Sequence, residues 1–322
     1  MPPYSGGMSL VVTGTVGTDS VYLPTGHAER VLGGSGVYFA AAAALFGPVR
    51  FVAVVGEDFE AHNLDFIRSL RNVDSSGLEV RKGSKTFYWA AKYSPDMNSR
   101  ETLTTELGVV AEELPPVPID FRDSRFVFLA NMHPANQLKM LRQFPNRAFA
   151  VADTMDLWIN VARGDLDLLL QAVDGLVLNF DEAELLTGTK NSVAAARKLL
   201  GMGPRFVVVK KGEHGCMIAC RDGSTDSIAA LPAFPTDKVI DPTGAGDTFA
   251  GAFMGHLTSL KGHANSRGDK LPLSMPTLRQ ALAYATVTAS FTIEEFSLNR
   301  FKTLTRADID ARYQEYAEMV RV

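Results

Sequence analysis

The chain has 322 residues, enough for one large α/β domain or two of average size. With 46% hydrophobic and 21% charged residues it reads as a globular protein able to bury a substantial core. A net charge of −4, with Lys and Arg scattered along the chain, leaves no basic patch for a nucleic acid, and no apolar run is long enough to cross a bilayer.

The opening residues, MPPYSGGMSL, lack a basic stretch followed by an apolar one, so no secretory leader is expected and the expected location is the cytoplasm. Leu10 to Thr13 is a short β-rich run ending at Gly14. In the turn behind it stands Asp19, whose carboxylate can accept two hydrogen bonds and whose plainer role in a turn is to bond its own backbone. Val31 to Gly47, VLGGSGVYFAAAAALFG, is a glycine turn entering an Ala-rich helix. Val49 to Val55 reads as a buried strand, followed by Asp58 as the N-cap of a helix running through Leu70.

Residues 84–107 break this rhythm. Lys85 to Tyr93 and Glu101 to Leu107 are rich in Thr and aromatics and flank the turn Pro95 to Asn98, which predicts a hairpin. Joined by Val21 to Val31, it would form a small sheet outside the main core.

From Arg125 onward short apolar runs alternate with helical patterns: Arg125 to Ala130, Ala148 to Asp153, Gly175 to Leu178, Arg205 to Lys210 and Gly215 to Cys220. Such alternation predicts a largely parallel sheet covered on both faces. Ligands gather at the C-terminal ends of strands in such sheets, which selects Asp153, Asn179, Lys210, Lys211 and Gly212. Cys216 and Cys220, with no second Cys or His pair at metal-ligand spacing, read as two small core thiols. Leu260 to Pro276 is polar and aperiodic, a surface loop, and helices are predicted over Thr277 to Ser290 and Arg306 to Val320.

The chemistry concentrates in Asp241 to Phe253, DPTGAGDTFAGAF. Gly244, Ala245 and Gly246 carry almost no side chain, so their N–H groups can converge on one point. Ala250, Phe253, Met254, Leu257 and Leu260 then recur at helical spacing, placing the loop at the positive end of a buried helix, where phosphate binds. A carboxylate at Asp247 would repel that phosphate, and it makes sense as the base that takes a proton from an attacking hydroxyl. The plainer alternative is a capped helix start after a tight turn.

This thirteen-residue string closely resembles the C-terminal signature of the PfkB (ribokinase-like) family of sugar and nucleoside kinases. The resemblance implies an α/β ribokinase-like fold: a doubly wound, mostly parallel sheet flanked by helices, with a small β lid. Residues 1–20, 32–83 and 108–322 would form the core, and 21–31 and 84–107 the lid. It further implies ATP and Mg²⁺ as cofactors, a sugar or nucleoside substrate, and pairing with a second subunit through the lid. Asp19, Gly33, Gly34 and Ser35 match the substrate-binding positions. Tyr38 stands where many members place an Asn that bonds the sugar, so it either faces a flatter substrate or is packed core. Phe87, Tyr88, Trp89 and Tyr93 of the lid either stack on substrate or pack against the core or a partner.

Asn179 and Glu182 resemble the family's NxxE motif, which organises Mg²⁺ through bound waters; an N-cap is the other reading for Asn179. Lys211, Gly212 and Gly215 match a turn lining the nucleotide, with Lys211 directed either to a phosphate or to solvent. Asp241 and Thr243 match a monovalent-cation (K⁺) site, although the downstream segment FTIEEFSLNR lacks the usual glycine. Two other classes remain open: a non-catalytic sensor of sugar or nucleotide on the same fold, and an NAD-dependent oxidoreductase, against which the missing G-x-G-x-x-G after the first strand counts.

Overall fold

The computed structural model describes residues 10–222, 225–260 and 273–321. The opening residues and most of the expected 260–276 loop therefore lie outside the described residues. The strands are β1 Leu10–Thr13, β2 Gly17–Leu23, β3 Gly26–Gly33, β4 Val49–Gly56, β5 Val73–Arg81, β6 Phe87–Tyr93 and β7 Arg100–Glu106. Then come β8 Phe126–Leu129, β9 Phe149–Asp153, β10 Gly175–Asn179, β11 Phe206–Lys210, β12 Cys216–Asp222 and β13 Thr225–Leu231.

Nine of them form one sheet in the order β13-β12-β11-β10-β9-β8-β1-β4-β5, and the other four a second sheet in the order β3-β2-β6-β7. From β5 to β11 every neighbour in the large sheet is parallel, and β12 and β13 add an antiparallel edge. This is the largely parallel sheet that the alternation of strands and helices predicts, in the doubly wound form that the resemblance implies. Side chains alternate between two cores: Leu10, Val12, Phe126, Phe128 and Val208 face one, and Val11, Val127, Leu129, Val207 and Val209 the other. Cys216 and Cys220 are buried free thiols, as expected.

Three differences from the sequence reading have physical causes. β5 (VDSSGLEVR) is a half-exposed edge strand with too few apolar residues to register, and β13 lies at the opposite edge. Asp58 does not cap a helix: the helix Ala61–Ser69 starts after Glu60, and Asp58 Oδ1 accepts the Thr86 N–H at 2.7 Å, pinning the start of the hairpin. Asp19 sits in strand β2 rather than in a turn, because the second sheet already begins at Gly17.

The helices Ser35–Ala43 and Ala245–Ser259 cross closely because Gly251 and Gly255 let them; a Cβ on Gly251 would lie 2.4 Å from Phe39 O. Their N-termini consequently open at the same place, outside the C-terminal ends of the strands, where β1 and β8 lead the chain in opposite directions. Among the described residues no helix is long and apolar enough to cross a membrane.

Deeper in the Ala245–Ser259 helix, His256 is 4% exposed and stacks on Tyr284, edge-on to Phe46. Burial pushes its imidazole from 6.5 down to about 4. The unfolded chain therefore takes up this proton first, so stability is complete above pH 6.5 and declines as pH falls toward 4. Urea midpoints measured across that window should drop in the parent protein and drop less steeply in His256→Gln.

Candidate active site

The cleft over the strand ends encloses about 1810 Å³ and is lined from both sheets. Single-ligand pockets run to roughly 300–1,000 Å³, so this one has room for two molecules side by side.

At its centre is the Asp241–Asp247 turn. Asp241 is 1% exposed and ties the loop down: Thr243 N–H donates to its Oδ1 at 2.9 Å and Ser297 N–H to its Oδ2 at 3.3 Å. Gly244 caps the Ala245–Ser259 helix at φ 75°, and a Cβ there would sit 2.4 Å from the Tyr38 ring. Glycine is required on both counts. Tyr38, 2% exposed, is thus packed under the turn and also lines the cleft.

Ala245 N–H donates to Pro242 O at 3.2 Å, whereas the amides of Gly244 and Gly246 make no hydrogen bond among the described residues. Of the three amides that the sequence singles out, two are therefore left without a partner at this helix start. Asp247 follows in the first helical turn, half-buried and lining the cleft. Burial raises its pKa, and the charges of Lys210 and Arg100 oppose that rise.

Across the cleft mouth, Asp19 pairs in register with Val31 of β3 and Trp89 of β6. It is 6% exposed, and its carboxylate makes no hydrogen bond among the described residues. Burial, aided by the nearby carboxylates of Asp241 and Asp247, pushes its pKa up to about 8. Gly33 is its floor: a Cβ there would fall 2.0 Å from Asp19 Oδ2. Gly34, at φ 107°, begins the Ser35–Ala43 helix, and Ser35 is held by Thr15, whose Oγ1 accepts the Ser35 N–H at 3.1 Å.

On the other side, Asn179 and Glu182 form a reciprocal capping box: Glu182 N–H donates to Asn179 Oδ1 at 2.8 Å and Asn179 N–H to Glu182 Oε2 at 2.7 Å. Burial pushes Glu182 up to about 7 even with Lys210 nearby. The N-cap reading of Asn179 is therefore correct, and it leaves Oε1 of Glu182 uncommitted. Among the described residues no group of three or more His, Cys, Asp or Glu is gathered to hold a metal. One spare carboxylate oxygen suits Mg²⁺ carried mainly by water and phosphate.

Lys211, Gly212 and Gly215 form a tight turn closed by Lys211 N–H to Gly215 O at 2.8 Å, with Gly212 at φ 56° and Gly215 at φ 83°. All three line the same cleft as Asp247 and Asp19. A monovalent cation at Asp241 and Thr243 would share Asp241 with the two backbone bonds that already hold it.

Several contacts at the cleft join residues that the sequence did not connect. Tyr93 Oη and Thr243 Oγ1 share a 3.0 Å hydrogen bond, and Asn98 Nδ2 donates to Glu213 Oε1 at 3.1 Å, so the β6–β7 hairpin touches both the glycine turn and the 211–215 turn. Arg100 begins β7 and lines the cleft, stacked on Trp89. Lys210 ends β11 with its Nζ 2.8 Å from where a Gly246 Cβ would be. The strand-end rule selects Lys210, whereas the resemblance to a nucleotide turn singles out its neighbour Lys211.

The profile of the pfkB family carbohydrate kinases matches residues 18–303. Cytidine kinase of Thermococcus kodakarensis is 32% identical over 253 residues, 77% of this chain and 87% of that one. The 2-dehydro-3-deoxygluconokinase of Thermoproteus tenax is 29% identical over 242 residues, 70% and 73% of the two chains. In fold, the chain is similar to Arabidopsis thaliana ribokinase complexed with ribose and ATP, with a TM-score of 0.72 at 19% identity over 96% of this chain and 99% of that one. With these matches and a glycine turn, carboxylates and strand ends all opening on one cleft, the chain belongs to the pfkB family of carbohydrate kinases and is a sugar or nucleoside kinase.

Proposed function

We propose that the chain transfers the γ-phosphoryl group of ATP to a hydroxymethyl group of a sugar or nucleoside, with Asp247 as the base. The observation that carries this reading is the meeting of two unbonded helix-terminal amides, Gly244 and Gly246, with a carboxylate on the very next residue, Asp247. An anion alone would be served by the amides, and Asp247 would only weaken its binding. A hydroxyl attacking that anion needs both.

In this account Asp19 accepts hydrogen bonds from the acceptor's hydroxyls, with Gly33 and Gly34 letting the acceptor lie against the backbone. Asp247 takes the proton of the attacking hydroxyl; its raised pKa brings it closer to the neutral pH at which a base works best. The new O–P bond forms as the bond from phosphorus to the ADP oxygen breaks. The Gly244 and Gly246 amides, backed by the helix dipole, stabilise charge on the phosphoryl oxygens throughout. Mg²⁺, reached through water by Glu182 and Asn179, would supply charge neutralisation on the nucleotide phosphates when bound.

The four-stranded sheet acts as the lid, fastened by Tyr93 to the glycine turn and by Asn98 to the nucleotide turn, and it excludes water that would compete with the acceptor. Its outer strand β7 is exposed and bonded on one side only, the edge with which a second copy would pair. Phe87 and Trp89 of the lid and Trp158 of the core line the cleft and favour a flat-faced acceptor, a nucleoside, in line with the cytidine kinase relative.

The test is incubation with Mg-ATP and, in turn, cytidine, inosine, ribose, deoxyribose, fructose and 2-dehydro-3-deoxygluconate, with products identified by mass spectrometry. A phosphorylated nucleoside is the expected product. Ligand-induced thermal shifts without any phosphorylated product would instead mark a sensor and refute the kinase mechanism.

A further inference from the structure

Lys210 is the last residue of β11, opposite Asn179 in register. Its side chain runs under the glycine turn, with Nζ 2.8 Å from the position a Gly246 Cβ would take. The carboxylates of Asp153, Glu182 and Asp247 all lie close enough for its charge to act on them. Yet among the described residues its ammonium makes no hydrogen bond and no ion pair.

A lysine with a purely structural task would settle on one of those carboxylates, since a contact pair in a partly dry cleft is favourable and a bare ammonium there is costly. Asp153 is in the matching condition: 4% exposed, with Oδ1 unpartnered. The ammonium thus leaves even Asp153 open, and a free cation beside two open amides describes a site short of one anion.

We propose that Lys210 is a catalytic residue of this kinase, its ammonium donating a hydrogen bond to a non-bridging oxygen of the phosphoryl group as that group passes from nucleotide to acceptor. This rests on the reading of Asp247 and the glycine turn above. During the step the acceptor oxygen bonds to phosphorus, the leaving electron pair stays on the ADP oxygen, and the acceptor's proton goes to Asp247. Lys210 remains protonated from start to finish. It supplies a fixed positive charge where the amides supply only dipoles, and it offsets the carboxylates that otherwise surround a phosphate.

The test compares Lys210→Met, which keeps the aliphatic stem, and Lys210→Arg, which keeps the charge, with Asp247→Asn as the reference; circular dichroism and thermal melts establish that each is folded. Lys210→Met should lower kcat about 10²–10³-fold, the loss typical of one missing donor to a transition-state anion, with acceptor KM little changed. The acidic limb of its kcat–pH profile should also move to higher pH, because the ammonium no longer holds down the Asp247 pKa. Lys210→Arg should recover part of kcat and restore the limb. Should Lys210→Met fail to fold, Lys210→Arg alone still decides, since a limb displaced as pH rises despite the retained charge contradicts the proposal. A kcat within a few-fold of the parent in Lys210→Met, with Asp247→Asn inactive, overturns the role of Lys210 alone. An active Asp247→Asn overturns the underlying mechanism as well.

Discussion

Asp247→Asn should lower kcat by about 10²–10⁴-fold, the contribution of a positioned general base. The substitution keeps the size of the side chain and its place in the first helical turn, so the Gly244 and Gly246 amides stay where they are. It removes the one carboxylate of the turn that lines the cleft. Nucleotide affinity should hold or rise slightly, since an anionic neighbour of the phosphates has become neutral. The pairing of lost turnover with retained nucleotide binding is the signature of an interaction made only in the transition state. Steady-state kinetics with isothermal titration of the nucleotide would measure both halves. Parent-like turnover would remove Asp247 from the chemistry.

Gly33→Ala should act at the other end of the reaction. The added Cβ would fall 2.0 Å from Asp19 Oδ2, and both backbones are held in paired strands of the four-stranded sheet, so the side chain has to give. Asp19 must swing away from the acceptor. Displacements of about 1 Å at a reacting site can cost on the order of 10²-fold, so kcat/KM for the acceptor should fall by about that much, with nucleotide binding unchanged. The same carboxylate predicts a pH effect. Only its ionised form accepts hydrogen bonds from two hydroxyls, and its pKa in the unliganded protein is pushed up to about 8. Acceptor kcat/KM should therefore climb as pH rises through about 8, and Asp19→Asn should abolish that climb. Unaltered acceptor kinetics in Gly33→Ala would place the acceptor elsewhere.

What could be read from the sequence follows a simple physical division. The Asp241–Phe253 turn was legible because its signals are local: tiny residues in a row, then an apolar stripe at helical spacing. The parallel sheet was legible for the same reason, since strands buried on both faces are continuous apolar runs. Half-exposed edges carry no such run, and β5 with its Asp74, Ser75 and Ser76 went unread. Contacts made across the fold were also out of reach. Tyr93 and Thr243 are 150 positions apart, and nothing near either residue announces the other. Asp58 has the look of a helix cap, yet it serves the hairpin 28 residues downstream. Lys210 and Lys211 are adjacent, and only strand register decides that the first runs under the glycine turn.

A crystal structure of the ternary complex with a non-hydrolysable ATP analogue and a nucleoside acceptor tests the central claim most directly. The γ-phosphate oxygens should lie within hydrogen-bond reach of the Gly244 and Gly246 amides, with the acceptor hydroxyl about 3 Å from both an Asp247 oxygen and the phosphorus. A γ-phosphate bound away from that helix start, or an Asp247 carboxylate turned from the hydroxyl into an ion pair, would contradict it.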